Sequence, residues 1–225
     1  MNPFSQAYDS VLQTLNNAAR AAGRPGGVRL LAVSKTQPAA AVAALAQLGQ
    51  RAFGENYVQE GLEKARELAG LGLEWHLIGH LQSNKCRDAA ENFDWLQSLD
   101  RTKLVEPLNR FRPPDRPPLN VLIQVNIDGE TSKSGCLPEQ VAALATTVAG
   151  APRLKLRGLM AIPEPTPDRE QRRASFQRLY ALYRQLQADF MGVDTLSMGM
   201  SEDFELAVAE GATLVRVGSK LFGPR

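Results

Sequence analysis

The strongest constraint on the fold is an alternation that runs through the chain. Eight short β-rich runs stand out: VRLLAVSK (28–35), RAFGEN (51–56), EWHLIGH (74–80), DWLQSL (94–99), LNVLIQVNI (119–127), LKLRGLMAI (154–162), DTLSMGM (194–200) and LVRVG (214–218). Helix-like segments lie between and after them, near 38–49, 57–70, 83–91, 101–110, 138–149, 168–189 and 202–210. Before the first run, residues 3–22 carry Phe4, Tyr8, Val11, Leu12 and Leu15 at helical spacing, with an Arg-Pro-Gly-Gly stop at 24–27. Strand–helix alternation implies a parallel sheet covered by helices. Eight such units imply closure, so the expected fold is a single TIM-type (β/α)8 barrel with an N-terminal helix, one domain over residues 1–225. A doubly wound open sheet is the alternative. It usually carries a Gly-rich dinucleotide turn after its first strand, where this chain has AVSKTQPA. The Pro-rich RPPDRPP (112–118) reads as a loop before the fifth strand rather than as a linker.

Composition narrows the function. At 225 residues, 44% hydrophobic and 22% charged, the chain has the mix of a soluble globular protein and needs no disulfide or metal staple. A net charge of +2 gives no global field toward nucleic acid or an anionic membrane, though a local anion site remains open. Cys86 and Cys136 show no CxxC spacing and read as reduced cytosolic thiols. The first residues have no basic n-region and no apolar h-region, and no stretch approaches the ~20 apolar residues of a membrane span. The expected location is the cytoplasm.

A barrel places its chemistry at the C-terminal ends of the strands. Lys35 ends the run LLAVS there. Strand alternation puts it on one face with Leu31 and Val33. If that face points inward, an amine stands in the barrel mouth, where enzymes use lysine to form a Schiff base with an aldehyde or ketone. Lowering a lysine pKa from about 10.4 to about 7–8 requires roughly 3–5 kcal/mol of differential interaction. The alternative is a lysine snorkelling to solvent.

The segments SMGMSEDFELA and RVGSKLFG each end a strand and open a helix, offering Gly, a hydroxyl and free backbone N–H groups. Barrels often build a phosphate site after strands seven and eight. The alternative is ordinary helix capping by Ser201 and Ser219. Arg216 sits among apolar neighbours in LVRVG and must find an acceptor. Beside a heteroaromatic nitrogen it would donate and keep that nitrogen unprotonated. Alternatively it pairs with a carboxylate such as Glu55 or Asp100.

Other chemistries fail on spacing. His76 and His80 are the only histidines, four apart on a strand and so on one face, without an evident third zinc ligand. There is no GxxxxGK[ST] and no G-x-S-x-G. Aromatics are too few for a single-stranded nucleic-acid platform.

A lysine for an aldehyde, a phosphate cradle and an arginine for a pyridine nitrogen together describe pyridoxal phosphate on a barrel. The motifs AVSKTQP, FGENYVQEG, WHLIGHLQSNK, NVLIQVNIDGETSKSG, RGLMAIPEP, LSMGMSEDFELA and RVGSKLFGPR, in this order, resemble the pyridoxal phosphate homeostasis protein family, which looks like the N-terminal barrel of alanine racemase standing alone. The resemblance covers residues 28–225. It implies that Lys35 holds pyridoxal 5'-phosphate as a Schiff base, that Ser201, Gly218 and Ser219 bind its phosphate, and that Arg216 faces its ring nitrogen. It also puts Asn56 near the ring and Met200 and His76 on the pocket wall. Lys133, in SKSG, is a motif lysine of underived role. Lys220 departs from the many relatives with a small residue there, and either strengthens phosphate binding or faces solvent.

An unprotonated ring nitrogen is a weak electron sink, which disfavours transaminase chemistry. Racemisation needs a second base, a tyrosine from a second domain in alanine racemase, and none of Tyr8, Tyr57, Tyr180 and Tyr183 ends a predicted strand. The implied role is therefore non-catalytic: a monomer that buffers pyridoxal phosphate or delivers it to apo-enzymes, with no nucleic-acid or membrane partner. A weak amino-acid racemase or lyase, and an interaction module with incidental cofactor, are the alternatives.

Overall fold

The computed structural model describes residues 2–130 and 134–223. The expected eight strands are present: β1 (Arg29–Val33), β2 (Ala52–Glu55), β3 (Glu74–Leu77), β4 (Trp95–Leu99), β5 (Leu119–Gln124), β6 (Leu154–Met160), β7 (Thr195–Ser197) and β8 (Leu214–Val217). They form a closed barrel in chain order. All pairs are parallel, and β1 meets β8 with Leu31 opposite Arg216. Helices α1 (Ser5–Ala21), α2 (Ala39–Gln47), α3 (Val58–Glu67), α4 (Cys86–Asn92), α5 (Val105–Phe111), α6 (Val141–Ala149), α7 (Arg169–Asp189), α8 (Phe204–Ala209) and α9 (Ser219–Phe222) surround it. The open-sheet alternative is thereby excluded. None of the described helices is long and apolar enough to cross a membrane.

Strand alternation sorts the residues into two cores. Outward side chains such as Ala32, Phe53, Trp75, Leu77, Val121, Ile123, Val215 and Val217 join the helices in one large apolar cluster. Inside the barrel, Leu31, Ala52 and Leu214 form a small cluster with Ile78, and Trp95, Leu122 and Met160 form another. The rest of the interior is polar, with Glu74, His76, Gln97, Ser197 and Arg216 hydrogen-bonded in series.

Several strands stop earlier than the apolar runs suggest. β5 ends at Gln124 because the chain beyond it pairs with its own return: Cys136 N–H donates to the Gln124 carbonyl and Asn126 N–H to the Cys136 carbonyl. β3 ends at Leu77, so His80 shares no strand face with His76. At Gly79 an added Cβ would lie 2.1 Å from the Asn56 carbonyl oxygen, which keeps this turn glycine-only.

The N-terminal helix buries Tyr8, Val11, Leu15 and Ala19. It packs against α8 and α9, with Phe4 edge-on to Phe222 at 5.6 Å. Past its stop, Arg24 donates to the carbonyls of Val208, Gly211 and Ala212 at the end of α8. A cation there satisfies orphan carbonyls and complements the helix dipole.

Candidate functional site, a cleft at the strand ends

A cleft of about 830 Å³ opens at the C-terminal ends of the strands. Seven of the eight proposed site residues line it: Lys35, Asn56, Met200, Ser201, Arg216, Gly218 and Ser219. His76 does not, which corrects the expectation. On β3 the inward positions are 74, 76 and 78, and Ile78 meets the cleft while His76 lies one layer beneath. His76 is fully buried and stacks on Trp95, with ring centroids 5.1 Å apart and planes at 8°. His80, also on the rim, is half-exposed and sits 3.6 Å from Asp100.

Lys35 follows β1 in a turn and is partly buried. The next residue, Thr36, has φ 66°, the left-handed region that a β-branched side chain avoids. The turn is held from behind. Glu60 accepts the Thr36 N–H, and the Lys64 ammonium reaches Glu55 at 2.8 Å, Glu60 at 2.8 Å and the Ser34 carbonyl at 2.7 Å. Ser34 donates to the same Glu55 oxygen at 2.5 Å. Burial pushes the Glu55 carboxyl up, against the hydrogen bonds from Lys64 and Ser34. Glu55 points to the helix side of the barrel, so it is not the partner of Arg216 that the sequence offered.

Nor is Asp100 that partner. Arg216 is buried and donates to Ser197 Oγ at 2.7 Å and to the Ala161 carbonyl at 2.9 Å. Burial draws its pKa down to about 10, with the charge of Asp203 opposing, so it remains a cation at neutral pH. An aromatic nitrogen lodged against it would meet a donor that cannot give up its proton.

On the other side of the cleft, Ser201 Oγ accepts the Gly218 N–H at 3.3 Å. This ties the β7 loop to the β8 loop and leaves the Ser201 proton free to be given elsewhere. Neither α8 nor α9 has a side-chain cap, so capping by Ser201 or Ser219 is not the use of these hydroxyls. Gly199, at φ 90°, turns the chain beneath them, where an added Cβ would stand 2.5 Å from the Ala207 Cβ. Lys220 is not among the lining residues. Its ammonium lies 5.1 Å over the Phe204 ring. Lys133 lies outside the described residues.

The sequence missed other walls. Gln124 is a polar break in an apolar run, a signal that was there to be read, and it donates to the Ser134 carbonyl at 3.2 Å. Arg172 comes from α7 and pairs with Asp203, and Ile162, Pro163 and Pro165 close the side after β6. Ile162, Pro163 and Pro165 lie in the motif RGLMAIPEP without standing out in it, and nothing local marks Arg172. No tyrosine is among the lining residues, and no metal-holding group of His, Cys, Asp or Glu occurs among the described residues.

The family model described as alanine racemase, N-terminal domain, matches residues 8–225. The pyridoxal phosphate homeostasis protein of Pseudomonas aeruginosa is 54% identical, over 100% of this chain and 97% of that one. The protein of the same name from Escherichia coli K12 is 48% identical, over 100% and 98%. Among solved structures, PipY of Synechococcus elongatus PCC7942 with PLP bound is 38% identical with a TM-score of 0.81, covering 93% of this chain and 99% of that one. A cleft on a closed barrel, a lysine after β1 and an arginine on β8 within it, and full-length identity at this level lead to one conclusion: the chain belongs to the pyridoxal phosphate homeostasis protein family, within the alanine racemase N-terminal domain class.

Proposed function

We propose that the cleft binds pyridoxal 5'-phosphate and that the chain buffers or delivers this cofactor in the cytoplasm without strong turnover of its own. The observation that carries the proposal is the convergence of Lys35, Arg216 and the Ser201–Gly218 pair on one cleft. The donor set fits the group. A volume of about 830 Å³ is ample for a small cofactor. Lys35 supplies an amine that can capture an aldehyde reversibly. Ser201, with Gly218 and Ser219 beside it, would supply the anion end, and Asn56 and Met200 would line the cleft around the ring. Bound pyridoxal phosphate supplies an electron sink to amino-acid substrates when its ring nitrogen is protonated. Arg216 cannot provide that proton, which favours holding over turnover.

The same proposal takes residues 1–225 as one domain, apo-enzymes that use pyridoxal phosphate as recipients, and a reducing compartment that suits the buried free thiols of Cys86 and Cys136. The test is the visible absorption of the protein mixed with pyridoxal phosphate, before and after borohydride. A band that borohydride fixes onto Lys35, and that is lost in Lys35→Ala, is expected. A colourless mixture would overturn the proposal. With D- or L-alanine in deuterated water, α-proton exchange should be no faster than with free cofactor, and steady fast exchange would favour the racemase alternative.

A further inference from the structure

The barrel interior carries a row of polar side chains of which only the last, Arg216, lines the cleft. It begins at Arg29 and Glu74 near the N-terminal ends of the strands and ends at Arg216 in the cleft wall. Its links are Glu74 to His76 Nε2 at 2.7 Å, His76 Nδ1 to Gln97 Nε2 at 2.9 Å, Gln97 Oε1 to Ser197 Oγ at 2.7 Å and Ser197 Oγ to Arg216 at 2.7 Å.

The direction of the links follows from the two ends and from Gln97 between them: Arg216 only donates, Glu74 only accepts, and the Gln97 carbonyl oxygen faces Ser197. A guanidinium only donates, so Ser197 Oγ accepts from it. The Ser197 hydroxyl proton goes to Gln97, whose carbonyl oxygen faces it. That turns the Gln97 amide N–H₂ toward His76, so Nδ1 must accept. The ring proton therefore sits on Nε2 and is given to Glu74, which also accepts from Arg29 at 2.6 Å. All links donate the same way, from a cation at the cleft to an anion at the far end. The tautomer of His76 is thus fixed from both sides, by the Glu74 carboxylate, which only accepts, and by the Gln97 amide N–H₂ that faces Nδ1.

We propose that Glu74, His76, Gln97 and Ser197 are positioning residues, a one-directional hydrogen-bond chain that holds Arg216 in a single orientation toward its ligand. This rests on the reading of the cleft as a pyridoxal phosphate site. The electrostatics agree. Burial lowers the His76 pKa, against the hydrogen bond and charge of Glu74, which keeps the ring neutral. Burial alone would raise Glu74, but the hydrogen bond from His76 and the charge of Arg29 reverse this and hold it below the usual carboxylate range. The charged groups facing the ring are Glu74 from its own strand, Arg29 from β1 and Asp94 before β4, while Arg157 from β6 covers the Trp95 ring on which it stacks. A chain of dipoles in a low-dielectric interior polarises its members cooperatively, so one broken link is felt at Arg216.

Nitrogen-15 spectroscopy of the two histidine side chains tests the chain in ligand-free protein, with His80→Gln used only for assignment. His76 should be protonated at Nε2 alone from about pH 6 to about pH 9. In Gln97→Glu the residue facing Nδ1 can only accept, so His76 should become doubly protonated at neutral pH. A wild-type ring protonated at Nδ1, or one that titrates in this range, would overturn the proposal. The second readout is titration with pyridoxal phosphate. Ser197→Ala and Gln97→Leu should weaken binding on the order of tenfold and alter the pH dependence of the visible band. Wild-type affinity and spectrum in both variants would also overturn it. Ser197→Ala removes one oxygen, and an unchanged His80 signal reports that its fold is intact. If the wild-type protein takes up no pyridoxal phosphate at all, the function of the cleft is misassigned, and the histidine spectra still decide whether the chain exists.

Discussion

Lys64 is the residue on which the Lys35 turn depends. It is buried, and its ammonium joins Glu55, Glu60 and the Ser34 carbonyl directly behind Thr36. Removing one member of a buried ion cluster leaves an uncompensated charge, which costs about 3–5 kcal/mol. Lys64→Met is expected to destabilise by that order, read by denaturant unfolding, and to slow or weaken capture of pyridoxal phosphate although Lys35 is intact. The loss should grow with pH. Without Lys64 the Glu55 carboxyl, already raised by burial, rises further. A folded form that binds more protons than the unfolded one loses stability as pH climbs from the ordinary value through the raised one. The deficit should therefore be larger at about pH 8 than at about pH 5, and a pH-independent deficit would show that Glu55 is not the cause. The sequence showed only half of this cluster: the spacing of Glu60 and Lys64 is helical, but their meeting with Glu55 and Ser34 depends on where α3 lands on the barrel.

Among the elements, the β7–α8 connection is the most tightly constrained. Ser197 ends the strand and belongs to the interior row, Gly199 turns, Met200 N–H is taken by Asp203 at 2.7 Å, and Ser201 reaches across to Gly218. Gly199→Ala would combine a positive φ with a Cβ 2.5 Å from that of Ala207. It is expected to cost at least about 2 kcal/mol in thermal unfolding and to weaken phosphate-dependent binding, so that pyridoxal loses less affinity than pyridoxal phosphate. Equal losses for both ligands would place the damage outside the anion end. This element was legible as a motif because Gly, hydroxyl and helix start are adjacent in sequence. The end of β3 was less so. His76 and His80 look alike on a run of alternating residues, and only the early strand end and the Gly79 turn against Asn56 separate a buried ring from a rim one.

For the whole molecule, eight strand–helix units were enough to predict closure, because a parallel sheet of that length with helices on one side has one compact solution. What could not be read were contacts made across the barrel. Arg216 was offered two carboxylates, and it took a hydroxyl on the adjacent β7 and a carbonyl after β6, one strand further round, because a guanidinium pointing inward meets what the barrel interior presents within its reach. Arg172 reached the cleft from a helix whose own pattern gives no hint of it. At the surface, the large exposed apolar side chains among the described residues, Tyr57, Leu71, Leu137, Ile162, Tyr180, Met191 and Met200, are spread along the chain rather than gathered on one element. Scattered apolar residues are normal for a monomer. Sedimentation is expected to return the 24.6 kDa chain mass, and a stable dimer at micromolar concentration would contradict this.

The clasp between Arg24 and the end of α8 bears on how the molecule comes into being. Its bond to Ala212 spans 188 residues, and the β1–β8 seam beside it spans nearly as many. Such contacts give a high contact order, and the chain entropy of closing that loop must be met before the contacts return anything. During synthesis the first strand and first helix leave the ribosome long before their partners exist. The cleft, with Lys35 just after the first strand and Arg216 on the last, is assembled only at the end, so a cofactor-competent site is itself a report that synthesis has run to the final strand.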